Sequence, residues 1–510
     1  MGKKFLRISM PQSIIVSDLM NQSGVAFGTS GARGLAEAIS NRVAFVLTLG
    51  FLQYLTRPGV SSAPFNKVAL GLDLRPSSPR ILQACATAAL HFGITPINCG
   101  EIPTPALMLY GLQQGIPTIM VTGSHIPEER NGIKFTLPTG EILKPDEAGI
   151  KSQVVELPDG TIDAHGEIKL CSALPLDDSA RQLYLQRYLS AAPERFLNGK
   201  TLAVYQHSAV GRDILVDLYT QLGAVVYPVG RSDSFVSIDT EAIRPQDHEL
   251  ARMWATQSHQ AGKIDAILSA DGDCDRPLVA DEQGYWLRGD ILGIIAARAL
   301  DADAVVAPIS CNTALEKSAH FAFTKRTKIG SPHVIAAMQE SIAAGYQRIV
   351  GYEANGGFLT GSALTLVEGC TALSALPTRD AILPQLALLA LSIRQKKLLS
   401  ELVATLPQRY TASERVEHFP TAQSQEILAE ISNSAEQRAT IFPAADYSAI
   451  VQMDTTDGLR MTFENGSIIH LRPSGNAPEF RCYVETESKP EILLGKVLKM
   501  ITRWRGPVPK

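Results

Sequence analysis

The sequence predicts an α/β protein with several domains: three similar α/β domains with mixed sheets, followed by a smaller α+β domain. Three observations predict this class. The chain has 510 residues, of which 45% are hydrophobic; strand-like and helix-like segments alternate through most of it; and the alternation changes near residue 400. Because one hydrophobic core rarely serves more than about 300 residues, we expect more than one domain.

The alternation of strand and helix recurs three times. From Lys67 the sequence reads KVALGLDL, a buried strand, and then SSPRILQACATAALHFG, an amphipathic helix that ends at Gly93. A similar pair occurs at KTLAVYQHSAVGRDILVDLYTQLG, which ends at Gly223, and a third begins at ADAVVAPISCNTALEKSA. Such alternation favours mostly parallel sheets, in which ligands bind beyond the carboxyl ends of the strands. The loops that follow strands are therefore the candidate functional loops.

The last part of the chain has a different pattern. After about Ser400, the segments GLRMTFENGSIIHLRPS and FRCYVETES show the alternation of half-buried strands and predict an α+β domain. We predict domains at 1–170, 171–290, 291–400 and 401–510. No long flexible linker separates them, so we expect the domains to pack closely.

Composition excludes several classes of protein. Lys and Arg number 47 against 51 Asp and Glu, and no basic block marks a nucleic-acid surface. No apolar run approaches the ~18 residues of a membrane span, and the N-terminus has no apolar leader. The seven cysteines show neither paired nor zinc-like spacing. We therefore expect a cytoplasmic protein with neither a nucleic-acid nor a membrane partner.

The first candidate loop, VTGSHIPEERNGIKF, places Ser124 directly after the strand-like IPTIMV. A serine that accepts a phosphoryl group needs nearby cations and a proton acceptor, which Lys134 and His125 would supply. The alternative is an ordinary turn serine beside a surface histidine.

The second candidate loop, DGDCDRP, places Asp271, Asp273 and Asp275 in a tight turn after IDAILSA. Crowded carboxylates repel one another unless a cation neutralises them, and Mg²⁺ suits a site that also contacts phosphate. Arg276 would steer that phosphate. The alternatives are an acidic surface turn or a calcium loop, although the loop lacks the length and terminal Glu of an EF-hand.

Two further loops offer hydrogen-bonding groups. In GYEANGGF, Glu353 and Asn355 suit sugar hydroxyls, and the two glycines would allow a ligand to approach closely, although a plain tight turn also explains them. The loop RPSGNAPEFR suits a phosphate that is held without chemistry, or else it is an ordinary hairpin with surface arginines. Its candidate ligands are Arg472, Ser474, Gly475, Asn476 and Arg481.

Taken in this order, the four loops resemble the active-site loops of the α-D-phosphohexomutase superfamily, with one loop in each domain. FGTSGARG, GLDLRPSS and IPTPALM also resemble the first domain of that family. The resemblance implies a four-domain architecture around a central cleft. The loops depart from the usual family pattern at Gly123, Ile126, Asn355 and the Asn-Ala pair of the fourth loop, but no group that the chemistry requires is lost.

The resemblance also implies roles for individual residues. Ser124 would be the phosphoserine and a metal ligand together with Asp271, Asp273 and Asp275. The other catalytic groups would be His125 and Lys134 for proton transfer, Arg276 at the phosphate, and Arg33 lining the cleft. The substrate-binding groups would be Glu353 and Asn355 at sugar hydroxyls and, at the non-reacting phosphate, Arg472, Ser474, Gly475, Asn476 and Arg481.

The implied activity is that of a phosphomannomutase or phosphoglucomutase, which exchanges hexose 1-phosphate and hexose 6-phosphate through phospho-Ser124. Mg²⁺ would be the cofactor and a hexose 1,6-bisphosphate the intermediate and activator, in a monomer or a homodimer. A phosphoglucosamine mutase is the first alternative. A metal-dependent sugar phosphatase and a catalytically silent sugar-phosphate sensor are the others.

Overall fold

The first domain is built on a mixed sheet of seven strands and a separate pair of strands. The computed structural model describes residues 12–28, 31–60, 64–157, 160–163, 167–257, 263–474 and 479–505. The strands of the first domain are β1 (Gln12–Ile15), β2 (Ala26–Phe27), β3 (Ala32–Leu35), β4 (Lys67–Leu72), β5 (Thr95–Glu101), β6 (Thr118–Val121), β7 (Arg130–Leu137), β8 (Gly140–Glu141) and β9 (Val154–Leu157). Its helices are α1 (Val16–Ser23), α2 (Asn41–Leu55), α3 (Ser78–His91), α4 (Thr104–Gln114) and α5 (Lys144–Lys151). The main sheet has the order β2-β3-β7-β6-β4-β5, with β8 beside β7, and β1 pairs with β9.

The second and third domains each contain one further mixed sheet. The second comprises α6 (Ser179–Leu189), β10 (Thr201–His207), α7 (Arg212–Gln221), β11 (Val225–Arg231), α8 (Pro245–Thr256), β12 (Ala266–Ala270) and β13 (Pro277–Ala280). The third comprises α9 (Gly289–Ala299), β14 (Ala304–Pro308), α10 (Ala314–Lys317), β15 (Phe323–Thr327), α11 (Ser331–Ala343), β16 (Ile349–Tyr352), β17 (Phe358–Thr360), β18 (Leu376–Asp380), α12 (Ile382–Gln395) and α13 (Leu399–Ala404). Their strand orders are β11-β10-β12-β13 and β15-β14-β16-β17-β18.

The fourth domain is an antiparallel sheet with helices. It comprises β19 (Tyr410–Glu417), α14 (Thr421–Asn433), α15 (Ala435–Ile441), α16 (Ala444–Tyr447), β20 (Ile450–Asp454), β21 (Leu459–Phe463), β22 (Ile468–Pro473), β23 (Glu479–Thr486) and α17 (Pro490–Arg505). The order is β19-β23-β22-β21-β20. Each main sheet lies within one of the four segments that the sequence predicts, while the exact boundaries stay predictions.

The first three domains share one four-strand core. Its first strand lies between the second and the third, parallel to both, and the fourth strand is antiparallel to the third: β4 to β7, β10 to β13 and β14 to β17. The prediction of mixed sheets is confirmed, but parallel pairing is limited to three strands of each core. Because a short loop can join only antiparallel neighbours, the third and fourth strands form a hairpin. The first three candidate loops are these hairpin loops.

The first three domains also share an apolar core, which confirms the prediction of close packing. A single cluster of buried side chains includes Met120 of the first domain, Leu218 of the second and Phe358 of the third. The fourth domain has a separate core around Phe419 and Phe480. The fourth domain is therefore the most independent of the four.

Helix α6 is fastened to the third domain through Asp380. This buried carboxylate accepts hydrogen bonds from the hydroxyls of Tyr184, at 2.6 Å, and Tyr188, and from the backbone N–H of Ile382. Burial and the nearby carboxylate raise the pKa of both tyrosines well above the ordinary value, so both hydroxyls keep their protons.

Replacing Asp380 with alanine is expected to lower the free energy of unfolding by about 3 kcal/mol, because two buried hydroxyls lose their acceptor. Tyr184→Phe removes one donor and leaves the carboxylate paired, so a loss of only about 1 kcal/mol is expected. Urea unfolding followed by circular dichroism measures both. Equal losses in the two variants would contradict the assigned role of Asp380.

Two negative findings complete the description. All seven cysteines lie within the described residues and are free. Within the described ranges, no helix has the length and apolar character needed to cross a membrane.

Candidate active site

Arg75 stabilises the loop that carries Ser124. This buried guanidinium donates hydrogen bonds to the backbone carbonyls of Ser124, Ile126, Pro127 and Arg130, at distances from 2.5 to 2.9 Å. An arginine has five N–H donors in a rigid fork and can therefore fix several carbonyls at once. The loop that carries Ser124 thus has a defined shape without regular secondary structure.

Two features of the chain allow this arrangement. A Cβ atom on Gly123 would lie 2.5 Å from Cζ of Arg75, so a residue with a side chain would displace the guanidinium. Glycine at this position therefore lets the guanidinium lie close to the backbone of the loop. Ser124 has a φ of 54°, in the left-handed region that few residues other than glycine adopt. Backbone strain of this kind is common at functional sites.

The hydroxyl of Ser124 lies against the second loop. Its Oγ donates a hydrogen bond of 2.6 Å to Oδ2 of Asp271, and Nδ1 of His125 lies 3.3 Å from the same Oγ. A Cβ on Gly272 would lie 2.7 Å from the carbonyl oxygen of Ser124, so glycine is needed for the two loops to approach this closely. The structure therefore brings the first and second candidate loops into direct contact.

The three aspartates of the second loop form a compact group of oxygen ligands. One carboxylate oxygen from each of Asp271, Asp273 and Asp275 lies within 4.8 Å of the others, and all three side chains are buried. Burial, followed by repulsion from the other two carboxylates, raises the pKa of Asp271 well above its ordinary value. Oδ1 of Asp273 and Oδ1 of Asp275 are buried without a hydrogen-bond donor. Buried, unpaired carboxylate oxygens are costly, and a divalent cation would satisfy them, so the residues fit a metal ion.

Cations surround the aspartates. Nζ of Lys134 donates hydrogen bonds to Oδ2 of Asp273, at 2.6 Å, and to Oδ2 of Asp275, at 2.9 Å. Burial would lower the pKa of Lys134, but the two carboxylates outweigh it and raise the pKa. Nε of Arg276 lies 3.6 Å from Oδ1 of Asp275 and 4.0 Å from Oδ2 of Asp271. Lys134 and Arg276 therefore lie in one charged cluster with the three aspartates.

The pKa values of Arg33 and His125 are lowered in part by this positive charge. Arg33 lies on β3 directly opposite Gly132 of β7, and its Nε is buried without a hydrogen-bond partner. Burial and the charge of Arg276 lower the pKa of Arg33 to about 10. Burial, then the charges of Arg276 and Arg33, lower the pKa of His125 well below its usual range. His125 is therefore a neutral imidazole beside the serine hydroxyl.

The third loop reaches this cluster through Arg379, which the sequence analysis did not single out. Nε and Nη2 of Arg379 donate to Oδ2 of Asp275, and Nη1 donates to Oε2 of Glu353. Oδ1 of Asn355 accepts a hydrogen bond from the backbone N–H of Gly357, so this oxygen stabilises the loop itself. Glu353 and Asn355 are both buried at the site, as parts of one loop.

The two glycines of the third loop leave space for other residues of the protein. The sequence analysis considered them as space for a ligand or as a plain tight turn. A Cβ on Gly357 would lie 2.4 Å from Cδ of Arg379. Gly356 has a φ of 89°, and a Cβ on Gly289 would lie 2.2 Å from its backbone nitrogen. The glycines therefore allow the loop to pack against Arg379 and against the start of α9.

The fourth loop lies between β22 and β23. Arg472 and Arg481 are directly opposite each other on these strands, so their side chains share one face of the sheet. Nε of Arg472 donates to Asp457, and Nη2 of Arg481 donates to Glu479, both in the fourth domain. Ser474 is buried at the end of β22, whereas Gly475 and Asn476 lie outside the described residues. Asp457 also accepts from the backbone N–H of Ile329, which attaches this region to the third domain.

The sequence analysis did not identify several residues that lie near the site. Arg75 lies in GLDLRPSS, which was noted only as a family resemblance, and Thr104 donates to Oδ2 of Asp273 at 2.5 Å from within IPTPALM. Glu241 lies on the loop after β11, where Thr240 donates to the carbonyl oxygen of Asn355. Single arginines and short acidic loops are common in protein sequences, so neither pattern could identify these residues.

The chain is similar to known proteins over most of its length. The phosphoglucomutase/phosphomannomutase family matches with its alpha/beta/alpha domain I at residues 24–158, its alpha/beta/alpha domain III at 288–410 and its C-terminal domain at 414–495. A phosphomannomutase of Salmonella muenchen is 44% identical over 472 residues, or 92% of this chain and 94% of that protein. A phosphoglucosamine mutase of Anaeromyxobacter dehalogenans is 28% identical over 446 residues, or 82% and 92% of the two chains.

A solved structure shares the fold. The phosphoglucomutase/phosphomannomutase family protein of Burkholderia thailandensis superposes with a TM-score of 0.71 at 17% sequence identity, covering 94% of this chain and 98% of that one. The family matches and the 44% identity to a full-length relative lead to one conclusion. This chain belongs to the phosphoglucomutase/phosphomannomutase family and is an enzyme of the α-D-phosphohexomutase superfamily.

Proposed function

We propose that the enzyme interconverts mannose 1-phosphate and mannose 6-phosphate, and the corresponding glucose phosphates, through phosphorylated Ser124. The observation that carries the proposal is the 2.6 Å hydrogen bond between the Ser124 hydroxyl and Asp271 within a group of three buried aspartates. This pairing brings a candidate nucleophile to a candidate metal site. The choice of mannose rests on the relative at 44% identity, whereas the phosphoglucosamine mutase is only 28% identical.

The proposed reaction has two phosphoryl transfers. The P–O bond to Ser124 breaks as a bond forms to the free hydroxyl of the hexose monophosphate, whose proton leaves to a base at the site. The resulting hexose 1,6-bisphosphate turns over in the cleft, and its other phosphoryl group returns to Ser124 with the reverse proton movement. Added hexose 1,6-bisphosphate would therefore act as an activator, because it phosphorylates any enzyme that has lost its phosphate.

Each residue of the site would have a separate role in the reaction. His125, whose Nδ1 lies 3.3 Å from the Ser124 hydroxyl, would exchange a proton there, assisted by Lys134. Arg276 and Arg33 would stabilise negative charge on the transferring group, since positioning and electrostatics dominate phosphoryl transfer. Asp271, Asp273, Asp275 and Ser124 would hold Mg²⁺, which when bound supplies a Lewis acid for a phosphoryl oxygen.

Glu353 and Asn355 would hold sugar hydroxyls. The phosphate that does not react would be held in the fourth domain by Arg472, Ser474, Gly475, Asn476 and Arg481. Because the bisphosphate turns over, this one site must accept the phosphate at either end of the sugar. A cytoplasmic location completes the proposal and is supported by the seven free cysteines. The enzyme would act as a monomer or a homodimer.

Phosphorus NMR tests the proposal directly. Mannose 1-phosphate, glucose 1-phosphate and glucosamine 1-phosphate are each incubated with the enzyme, Mg²⁺ and a trace of the matching 1,6-bisphosphate. We expect the signals of the 6-phosphates to appear, fastest with mannose. Fastest conversion of the glucosamine compound would replace the proposed substrate with the first alternative.

The same spectra distinguish a mutase from a phosphatase. A mutase releases almost no inorganic phosphate, because the buried site favours the sugar hydroxyl over water as the acceptor. A phosphate signal that grows in step with loss of substrate would overturn the mutase proposal.

A further inference from the structure

Arg379 joins two loops that the proposed function assigns to different tasks. Its guanidinium donates to Oδ2 of Asp275 at 2.8 Å from Nη2 and at 3.1 Å from Nε, and to Oε2 of Glu353 at 3.1 Å from Nη1. Asp275 belongs to the candidate metal group, and Glu353 to the candidate sugar loop. All three side chains are at least 95% buried, so water does not screen these interactions strongly.

The surrounding structure fixes the position of Arg379. It is on β18, and its neighbour Asp380 is held by Tyr184 and Tyr188. On the other side, Gly357 leaves space for its aliphatic part, since a Cβ there would lie 2.4 Å from Cδ of Arg379. A guanidinium held in this way presents separate N–H groups to two carboxylates, which the single ammonium of lysine cannot reproduce with the same geometry.

The charges around Asp275 make the link between the two loops responsive to a metal. Oδ2 of Asp275 also accepts from Lys134 at 2.9 Å, so two cations share one carboxylate oxygen. A divalent cation among the three aspartates would take up part of this negative charge and repel Arg379. The guanidinium would then interact more strongly with Glu353, its other carboxylate partner.

We infer that Arg379 is a positioning residue that couples binding of the divalent cation at the aspartates to binding of the hexose phosphate at Glu353. This inference rests on the proposed function. A bound metal orders Glu353 through Arg379 and tightens sugar-phosphate binding. By linkage, the sugar phosphate tightens metal binding by the same factor.

Binding measurements on the full chain test this coupling without turnover. In a Ser124→Ala background, the affinity for Mn²⁺ is measured by electron paramagnetic resonance with and without saturating mannose 1-phosphate. We expect the sugar phosphate to tighten Mn²⁺ binding by about 10-fold, a typical coupling. Adding Arg379→Lys, which keeps the charge but loses the fork, is expected to reduce the coupling to less than about 2-fold.

A matched control separates this effect from a general loss of packing. Arg409 is another buried arginine, whose Nε lies 2.6 Å from Glu485 at the border of the third and fourth domains. Arg409→Lys in the same background is expected to keep the coupling. Arg379→Gln, which retains hydrogen-bonding groups without charge, is the second variant if Arg379→Lys does not fold.

The outcomes are distinct. Coupling that persists in the Arg379 variants, or that disappears equally in Arg409→Lys, would overturn the inference. Calorimetric titration of mannose 1-phosphate into the Ser124→Ala parent protein supplies the remaining comparison. If that protein binds Mn²⁺ but no sugar phosphate, the proposed function fails, and the inference fails with it for a different and recognisable reason.

Discussion

Ser124→Ala is expected to lower the turnover of mannose 1-phosphate by at least about 10⁴-fold, because the hydroxyl that would carry the phosphoryl group is lost. Binding of the sugar phosphate should change little, since the groups proposed to hold it are untouched. Coupled-enzyme assays of mannose 6-phosphate formation measure turnover, and calorimetry measures binding. Incubation with ³²P-labelled glucose 1,6-bisphosphate should label the parent protein and leave the variant unlabelled.

A suitable control removes a similar hydrogen bond elsewhere. Ser392 is also buried, and its Oγ donates a 2.6 Å hydrogen bond to the carbonyl oxygen of Lys397. Ser392→Ala is expected to cost stability but to keep turnover within about tenfold of the parent protein, because no reacting group is removed. Turnover in Ser124→Ala similar to that of Ser392→Ala would eliminate the phosphoserine.

Asp273→Asn is expected to have the second largest effect, with metal affinity and turnover falling together and turnover falling by about 10³-fold. Asparagine has nearly the same size and can still accept the hydrogen bond from Thr104, so packing is preserved. It removes the charge that a divalent cation needs. Turnover as a function of Mg²⁺ concentration, and Mn²⁺ binding by electron paramagnetic resonance, measure the two effects.

Metal removal tests the same group in the parent protein. A chelator should reduce turnover to the level of Asp273→Asn, and added Mg²⁺ should restore it. Asp265→Asn is the control for Asp273→Asn, because Asp265 pairs with Lys200 and is not among the three aspartates. Full turnover in the chelator would exclude metal dependence and leave Asp273 with a structural role.

The sequence pointed to the candidate catalytic residues, but not to the residues that hold them in position. Ser124 and Asp271 could be found because each follows a strand directly, and strand ends converge in α/β folds. Arg379 could not be found in this way. It is 104 residues beyond Asp275 in the chain, and only the pairing of β17 with β18 brings it to the site. Isolated arginines are too frequent for a single one to signal such a contact.

Parallel pairing covers only part of each mixed sheet, for a related reason. Alternating helices and strands predict parallel pairs correctly for β4, β5 and β6. However, the short segment between β6 and β7 contains no helix, so β7 can pair only in the opposite direction. The loops that were selected for their chemistry are the same loops that reverse the chain.

All four candidate loops therefore connect neighbouring antiparallel strands: β6 to β7, β12 to β13, β16 to β17 and β22 to β23. The strands at both ends of each loop are hydrogen-bonded to each other in the same sheet. Under the proposed function, we expect admission of a substrate and rotation of a bisphosphate to involve movement of a whole domain. The fourth domain, with its separate core, is the part of the chain best suited to such a hinge motion.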